Sequence, residues 1–311
     1  MKVFFLLPIY NDQNSLNEII RKIKVNFENK NYELKFLIIN DGSSSSVYSQ
    51  INNKADTILI DLKSNQGNQK AIHTGMMHLI KEKYEFDYLI VMDSDGEDDP
   101  DHVEKLLEES KIREGEIIFA SRLNRHESIV FKFFYVLYKI IFKILTGKKI
   151  SFGNFSCIPK NLLKSLTSLP MIDCHYPSAI IKSKILFSTV PLDKGKRFDG
   201  KSSMNLINFI LHAMKSLSVF YEQIIARFLI FTFIGMIFCI FTIIIVFIYK
   251  FSTPLILAGW STNVVIGFSI IGLIFLFMFF SCLLVLINKN TFLQNRNINY
   301  KDLIKKISED K

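Results

Sequence analysis

The chain has little of what several protein classes depend on. Its 311 residues include four cysteines, Cys157, Cys174, Cys239 and Cys282, and none stands in a CxxC spacing, which argues against a zinc site or a disulfide framework. Only 13 glycines and 7 prolines, against 49% hydrophobic residues, exclude collagen-like, mucin-like and disordered chains. No arginine-rich arm and no zinc-finger spacing accompany the net charge of +9, so nucleic acid is not the expected partner. Widely spread lysines suit an anionic membrane surface better. The opening MKVFFLLPIYND lacks the small-residue cleavage site of a secretory leader and reads as a buried strand.

What is abundant is apolar sequence, and it is concentrated. Between Phe228 and Ile287 the only charged side chain is Lys250. Residues 228–249 and 264–287 form two runs of about 22 and about 24 residues, each enough to cross a hydrocarbon core as a helix. Arg227 precedes the first run, and Lys289, Arg296, Lys301, Lys305 and Lys306 follow the second, while the loop between them carries one positive charge. The positive-inside rule then places the N-terminal domain and both termini in the cytoplasm, with 288–311 as a cytoplasmic tail of a multi-pass cell-membrane protein. Tyr249 and Trp260 fall where interfacial aromatics are expected.

Two segments upstream are amphipathic rather than uniformly apolar. In 129–149, Lys132, Lys139 and Lys143 share one helical face amid Phe, Ile, Leu and Tyr, the pattern of a helix lying in a membrane interface. A core helix with snorkelling lysines is the alternative. Residues 206–227 read as a second interfacial helix leading into the first span.

Through Ala120 the chain alternates short apolar runs with amphipathic ones. Val3–Leu7, Leu34–Ile39, Thr57–Ile60, Tyr88–Met92 and Glu116–Ala120 predict strands, and Ser15–Lys24, Gln69–Lys81 and Asp101–Lys111 predict helices. This is an α/β pattern, a doubly wound, mostly parallel sheet over residues 1–225, in which ligands bind beyond the carboxyl ends of the strands. Those ends are polar and acidic: Pro8 to Asp12, Asn40 to Ser44, Asn65 to Asn68, and Asp93 to Pro100.

Asp93, Asp95 and Glu97 alternate directly after a buried run and offer hard oxygen ligands for Mg²⁺ or Mn²⁺ holding a diphosphate. The bland reading of the same stretch is a turn with Asp98 or Asp99 capping a helix that starts at Pro100. Asp41-Gly42-Ser43 is either a plain turn or a nucleotide contact through the Asp41 carboxylate.

Taken together, LPIYND, INDGSSS, NQGNQKAIHTG and VMDSDGEDDP resemble the successive signatures of family 2 glycosyltransferases with the GT-A fold. ASRLNRHES, KRFDGKSSM and the two C-terminal spans narrow the resemblance to the polyprenyl-phosphate glycosyltransferases, a group that includes dolichol-phosphate mannosyltransferase and bactoprenol glucosyltransferase. The resemblance implies that Pro8, Tyr10, Asp12, Asp41, Gly67, Asp93, Ser94 and Asp95 bind the nucleotide sugar and that Asp93, Asp95 and Glu97 hold the metal. It implies acceptor-phosphate contacts from Arg122, Arg125, Arg197 and Ser202, with Asp95, Arg122 and Arg197 acting in catalysis.

The activity so implied is inverting transfer of a sugar, with a UDP-sugar as the first expectation, to polyprenyl phosphate for envelope or surface glycan assembly. Self-association is compatible with it. Departures from the family pattern are Asp12 for the usual Glu, Asn40 for Asp, Glu97 for Gln, and 151–157, SFGNFSC, where an acid and an arginine are usual. A phosphate monoester is largely ionised at neutral pH and needs no general base. A sugar hydroxyl would need one, and Asp173, His175 and Asp98 are the candidates. A membrane transferase acting on a saccharide hydroxyl, and a non-catalytic scaffold, are the competing readings.

Overall fold

The computed structural model describes residues 1–44, 47–51, 54–122, 129–193, 195, 197–198, 206–252, 259–287 and 299–309. The predicted elements of the first part form as expected: β1 (Lys2–Ile9), α1 (Gln13–Phe27), β2 (Glu33–Asn40), β3 (Thr57–Leu62), α2 (Asn68–Lys81), β4 (Tyr88–Val91), α3 (Val103–Ile112) and β5 (Ile117–Arg122). Val3 to Ile9 are all buried, without alternation, because β1 lies inside the sheet with both faces covered. Helix α1 turns Leu16, Ile19, Ile20, Ile23 and Phe27 onto the sheet, the 3.6-residue period of a one-sided helix. Helix α2 comes closest at Gly75, where a Cβ would stand 2.1 Å from Leu6 Cδ1 and 3.2 Å from Ile39.

The remaining elements are α4 (Ile129–Thr146), β6 (Phe152–Pro159), α5 (Lys160–Thr167), α6 (Tyr176–Lys182), β7 (Phe187–Leu192), α7 (Leu206–Ser218), α8 (Tyr221–Ser252), α9 (Trp260–Ile287) and β8 (Ile304–Glu309). Among the described residues eight strands make one sheet, in the order β7-β5-β6-β4-β1-β2-β3-β8. Strands β3, β2, β1 and β4 run parallel, as does β7 with β5, whereas β6 is antiparallel to β4 and β5, and β8 to β3.

Two boundaries differ from the sequence reading. Residues 206–227 are not one helix: α7 ends at Ser218, and Val219, fully buried, accepts a hydrogen bond from Lys182 Nζ at its carbonyl (2.8 Å) before α8 starts at Tyr221. Residues 288–311 are not simply a tail, since β8 joins the sheet edge.

The chain divides into two compact units, Met1–Val219 with Asn299–Lys311, and Phe220–Ile298. In the first, α4 exposes Phe133, Val136, Leu137, Ile140, Ile141 and Ile144, a continuous helical stripe, and α7 exposes Ile207, Ile210, Leu211 and Met214. In the second, α8 and α9 pair. The buried residues of α8 are Thr232, Cys239 and Val246, seven apart, on the seam facing α9, and Gly235 lets the Phe275 ring close in. Both helices are long and apolar enough to cross a membrane and leave most of their surface uncovered by protein.

Candidate active site

The loops after β1 and β2 are tied to each other. Asn11, at φ 53°, takes the left-handed conformation that Asn tolerates, donates its N–H to Ser43 Oγ (2.9 Å) and accepts from Ser44 N–H at Oδ1 (2.9 Å). Asn40 accepts from Ser43 N–H (3.0 Å) and donates from its amide to Asp61 Oδ1 (2.7 Å). Asp41 is buried and accepts the N–H groups of Gln66 (2.6 Å) and Gly67 (2.8 Å). Burial pushes its pKa up against the pull of those two bonds. Asp41 thus holds the 65–67 loop in place, and Gly67, at φ 87°, starts α2. Tyr10, just past the end of β1, is half exposed, and Asp12 precedes α1 without a side-chain cap bond. Pro8 is buried, and its carbonyl accepts the Ser94 hydroxyl (2.8 Å), so Ser94 spends its donor inside the fold.

The acidic loop after β4 is built from its own carboxylates. Asp98 is buried and accepts Asp93 N–H (2.9 Å), Asp95 Oδ1 accepts Glu97 N–H (2.9 Å), and Asp93 Oδ1 accepts the Asn68 amide (2.9 Å). Asp99 caps the short turn at Pro100–His102 by accepting Asp101 N–H, so the capping reading holds for Asp99 beside the loop's other roles. A segment after β7 crosses this loop: Gly195 N–H donates to the Glu97 carbonyl (2.9 Å) and Phe198 N–H to that of Asp95 (3.2 Å). Arg197 donates to Asp95 Oδ2 (2.5 Å) and lies 3.7 Å from Glu97 Oε1.

That pairing changes the metal expectation. Among the described residues no three of His, Cys, Asp and Glu converge on one point, so Asp93, Asp95 and Glu97 do not form a ready cage. Glu97 and one oxygen of Asp95 lie against Arg197 instead. A divalent ion still fits, because such ions are commonly held by one or two carboxylates together with substrate phosphates. Burial first, then the charge of Asp93, push the Asp95 carboxyl up to about 6, a surplus of negative charge that a cation would relieve. Asp93 and Asp95 are the residues that would hold it, and its chemistry there would be charge neutralisation of a leaving diphosphate.

Of the other anticipated residues, Arg122 ends β5 beside Leu192 with its side chain outside the described residues, where Arg125 and Ser202 also lie. Two of the candidate bases, Asp98 and His175, are occupied otherwise. Asp98 closes the acidic loop, and the charge of Asp173 acts on His73 of α2. His175 is 2% exposed, caps α6 by accepting Ser178 N–H at Nδ1 (3.1 Å), and has its pKa driven well below the ordinary value by burial, so it is a poor base.

Three residues escaped the sequence reading, and Asn68 entered it only as part of a polar strand end. Asn68 holds Asp93, and Gln69 joins Asn154 of β6 (2.9 Å) to Tyr176 N–H (2.6 Å). From α7, His212 Nε2 lies 3.2 Å from His175 Nε2, and Lys215 Nζ lies 4.0 Å from where a Cβ on Gly67 would stand.

The sequence model of Glycosyl transferase family 2 matches residues 5–163, β1 through the acidic loop and into α5. The chain belongs to that family. As a family 2 glycosyltransferase it is also 28% identical, over 186 residues, to the undecaprenyl-phosphate 4-deoxy-4-formamido-L-arabinose transferases of Salmonella choleraesuis (strain SC-B67) and Salmonella paratyphi B (strain ATCC BAA-1250 / SPB7). That match covers 58% of this chain and 54% of theirs, so the chain spans about half the length of the curated relatives it matches. Its GT-A fold is shared with glucosyl-3-phosphoglycerate synthase from Mycobacterium tuberculosis, solved with Mn²⁺, UDP-glucose and phosphoglyceric acid, at TM-score 0.53 and 12% identity over 72% of this chain and 79% of that one. Mannosyl-3-phosphoglycerate synthase from Rubrobacter xylanophilus gives TM-score 0.52 and 14% identity over 72% and 74%. The family match ends before α6 and α7, so His175, Arg197, His212 and Lys215 belong to the part of this transferase that lies outside it.

Proposed function

We propose that this glycosyltransferase moves a sugar from a nucleotide diphosphate sugar to polyprenyl phosphate at the cytoplasmic face of a membrane, with inversion and with Mg²⁺ or Mn²⁺. The observation that carries the reading is α7: its one face bears His212 and Lys215 toward the strand-end loops, and its opposite face exposes Ile207, Ile210 and Met214. A helix that is at once a wall of the site and an apolar surface suits an acceptor whose phosphate sits at headgroup depth. The exposed stripe of α4 and the apolar helices α8 and α9 support the same setting, as do relatives whose names carry undecaprenyl phosphate.

On this reading Tyr10, Asp12 and the Asp41 loop receive the nucleotide, and Asp93 and Asp95 the metal and diphosphate. Arg197, with Arg122, Arg125 and Ser202, neutralises phosphoryl charge as the acceptor oxygen attacks the anomeric carbon in line. The commitments of Asp98 and His175 favour an acceptor that needs no base over a sugar hydroxyl.

The test is transfer of radiolabelled sugar from a panel of nucleotide sugars into extractable lipid, using membranes with wild type or Asp95→Asn. Mild-acid-labile lipid label that requires a divalent ion and is lost in Asp95→Asn is expected. Label entering polymer, or released only as free sugar, would overturn the lipid-phosphate acceptor.

A further inference from the structure

We propose that His212 donates its Nδ1–H to a phosphoryl oxygen of substrate held over the acidic loop, and that His175 is the positioning residue that fixes this tautomer. The proposal rests on the transferase reading above and deepens it.

The tautomer follows from a chain of partners. His175 Nδ1 accepts Ser178 N–H, so that nitrogen carries a lone pair and the ring proton of a neutral His175 sits on Nε2. His175 Nε2 lies 3.2 Å from His212 Nε2, with ring centroids 4.7 Å apart, so His175 donates and His212 Nε2 accepts. The proton of His212 is then left on Nδ1. Burial lowers the pKa of each ring and the positive charge of Lys215 lowers both further, which favours the neutral form of each. Asp93 is the anion that acts on His212 in the opposite sense.

Placement gives the donor its target. His212 keeps part of its side chain accessible to solvent although its ring lies among many protein atoms, whereas His175 behind it is buried, and the charges of Lys215 and Asp93 both act on His212. Lys215, one turn on, reaches toward Gly67, the start of α2, where N–H groups and helix dipole already favour an anion. A cap alone would not require histidine at 175, because Asn, Asp or Ser cap a helix as well or better. What His175 adds over those residues is Nε2, the atom that meets His212.

That difference supplies the experiment, made with the full-length protein in lipid nanodiscs. His175→Asn keeps an acceptor for Ser178 N–H but cannot reach His212, and His212→Asn keeps a donor close to where Nδ1–H stood. His212→Ala is expected to lower kcat/KM by about tenfold to a hundredfold, the worth of one hydrogen bond to a charged group. His212→Asn should recover most of that loss, and His175→Asn should fold normally yet lose activity. The double variant His175→Asn/His212→Ala should be no worse than His212→Ala alone, as for two residues acting through one contact. Independent, multiplying losses, or full activity in His212→Ala, would overturn the proposal.

A rise in KM for the nucleotide sugar would assign the phosphoryl oxygen to the donor diphosphate, and a rise for polyprenyl phosphate to the acceptor. Nitrogen NMR of histidine-labelled protein provides a readout independent of turnover. The signal that disappears in His212→Asn should show the Nδ1–H tautomer in wild type and revert toward Nε2–H in His175→Asn; an unchanged tautomer would overturn the positioning role. Should wild type hydrolyse the nucleotide sugar without labelling lipid, the acceptor assignment fails while the histidine comparison is still read on hydrolysis.

Discussion

Gly195 sets how closely the chain after β7 approaches the acidic loop. A Cβ there would stand 2.4 Å from the Gly96 carbonyl oxygen, a backbone atom that cannot swing away, and 3.2 Å from Asp99 Cβ. Gly195→Ala must therefore lift this segment, and with it the Arg197 contact to Asp95. We expect transfer to fall by about tenfold or more, because a misplacement of about 1 Å in a catalytic group is already costly, while the melting temperature in detergent changes little. Wild-type transfer rates in Gly195→Ala would show that Arg197 is not held by this approach. The departures from the family pattern also have causes at this scale. Asn40 must donate to the Asp61 carboxylate, so the usual Asp would set two acceptors against each other at 2.7 Å. Ser156 stands where Arg is usual; it is fully buried against the Tyr176 hydroxyl (3.0 Å), with Cys157 buried beside it in the chain, where a guanidinium would find no water.

At the scale of elements, the last strand does what the central strands cannot do for themselves. β8 covers the edge of β3, and the short turn before it sets the buried Tyr300 hydroxyl on Glu82 (3.2 Å), where Lys301 Nζ also pairs (3.0 Å); at its end Tyr84 donates to Glu309 (3.2 Å). Tyr300→Ala removes a buried ring, a change that costs about 3 kcal/mol for aromatic residues, and should lower the melting temperature and promote association through the β3 edge. An unchanged melt followed by circular dichroism would mean that β8 is dispensable to the sheet. β1 to β5 and α1 to α3 were legible in the sequence because buried parallel strands are continuous apolar runs and their helices keep one apolar face. β6 was not, since Gly153, Asn154 and Ser156 read as loop while their polar atoms are satisfied inside, nor was β8, short and lysine-bearing. In the site, the carboxylates announce themselves by spacing. His212 and Lys215 do not, because α7 reads as a lipid-facing helix and their partners lie more than thirty residues away.

For the whole molecule the informative fact is connectivity. The chain leaves the first unit at Val219, runs through α8 and α9, and returns to the same unit at Asn299 to supply β8. A single crossing would put β8 on the far side of the bilayer from β3 and leave the edge Ile58–Leu62 unpaired, so the number of crossings must be even. Two spans satisfy this, and so does a re-entrant hairpin that dips in and out on one side; only the first exposes the α8–α9 turn to the opposite aqueous phase. The uncovered apolar surface of both helices, each longer than the roughly 20 residues a bilayer core requires, favours two full crossings. We therefore expect a membrane-impermeant maleimide to label Ser252→Cys in intact cells and Lys305→Cys only after permeabilisation, with the wild type controlling for the four native cysteines. Protection of both positions would select the re-entrant hairpin. Labelling of both in intact cells would put the catalytic unit outside, beyond reach of a cytoplasmic nucleotide sugar, and the proposed reaction would fail with it.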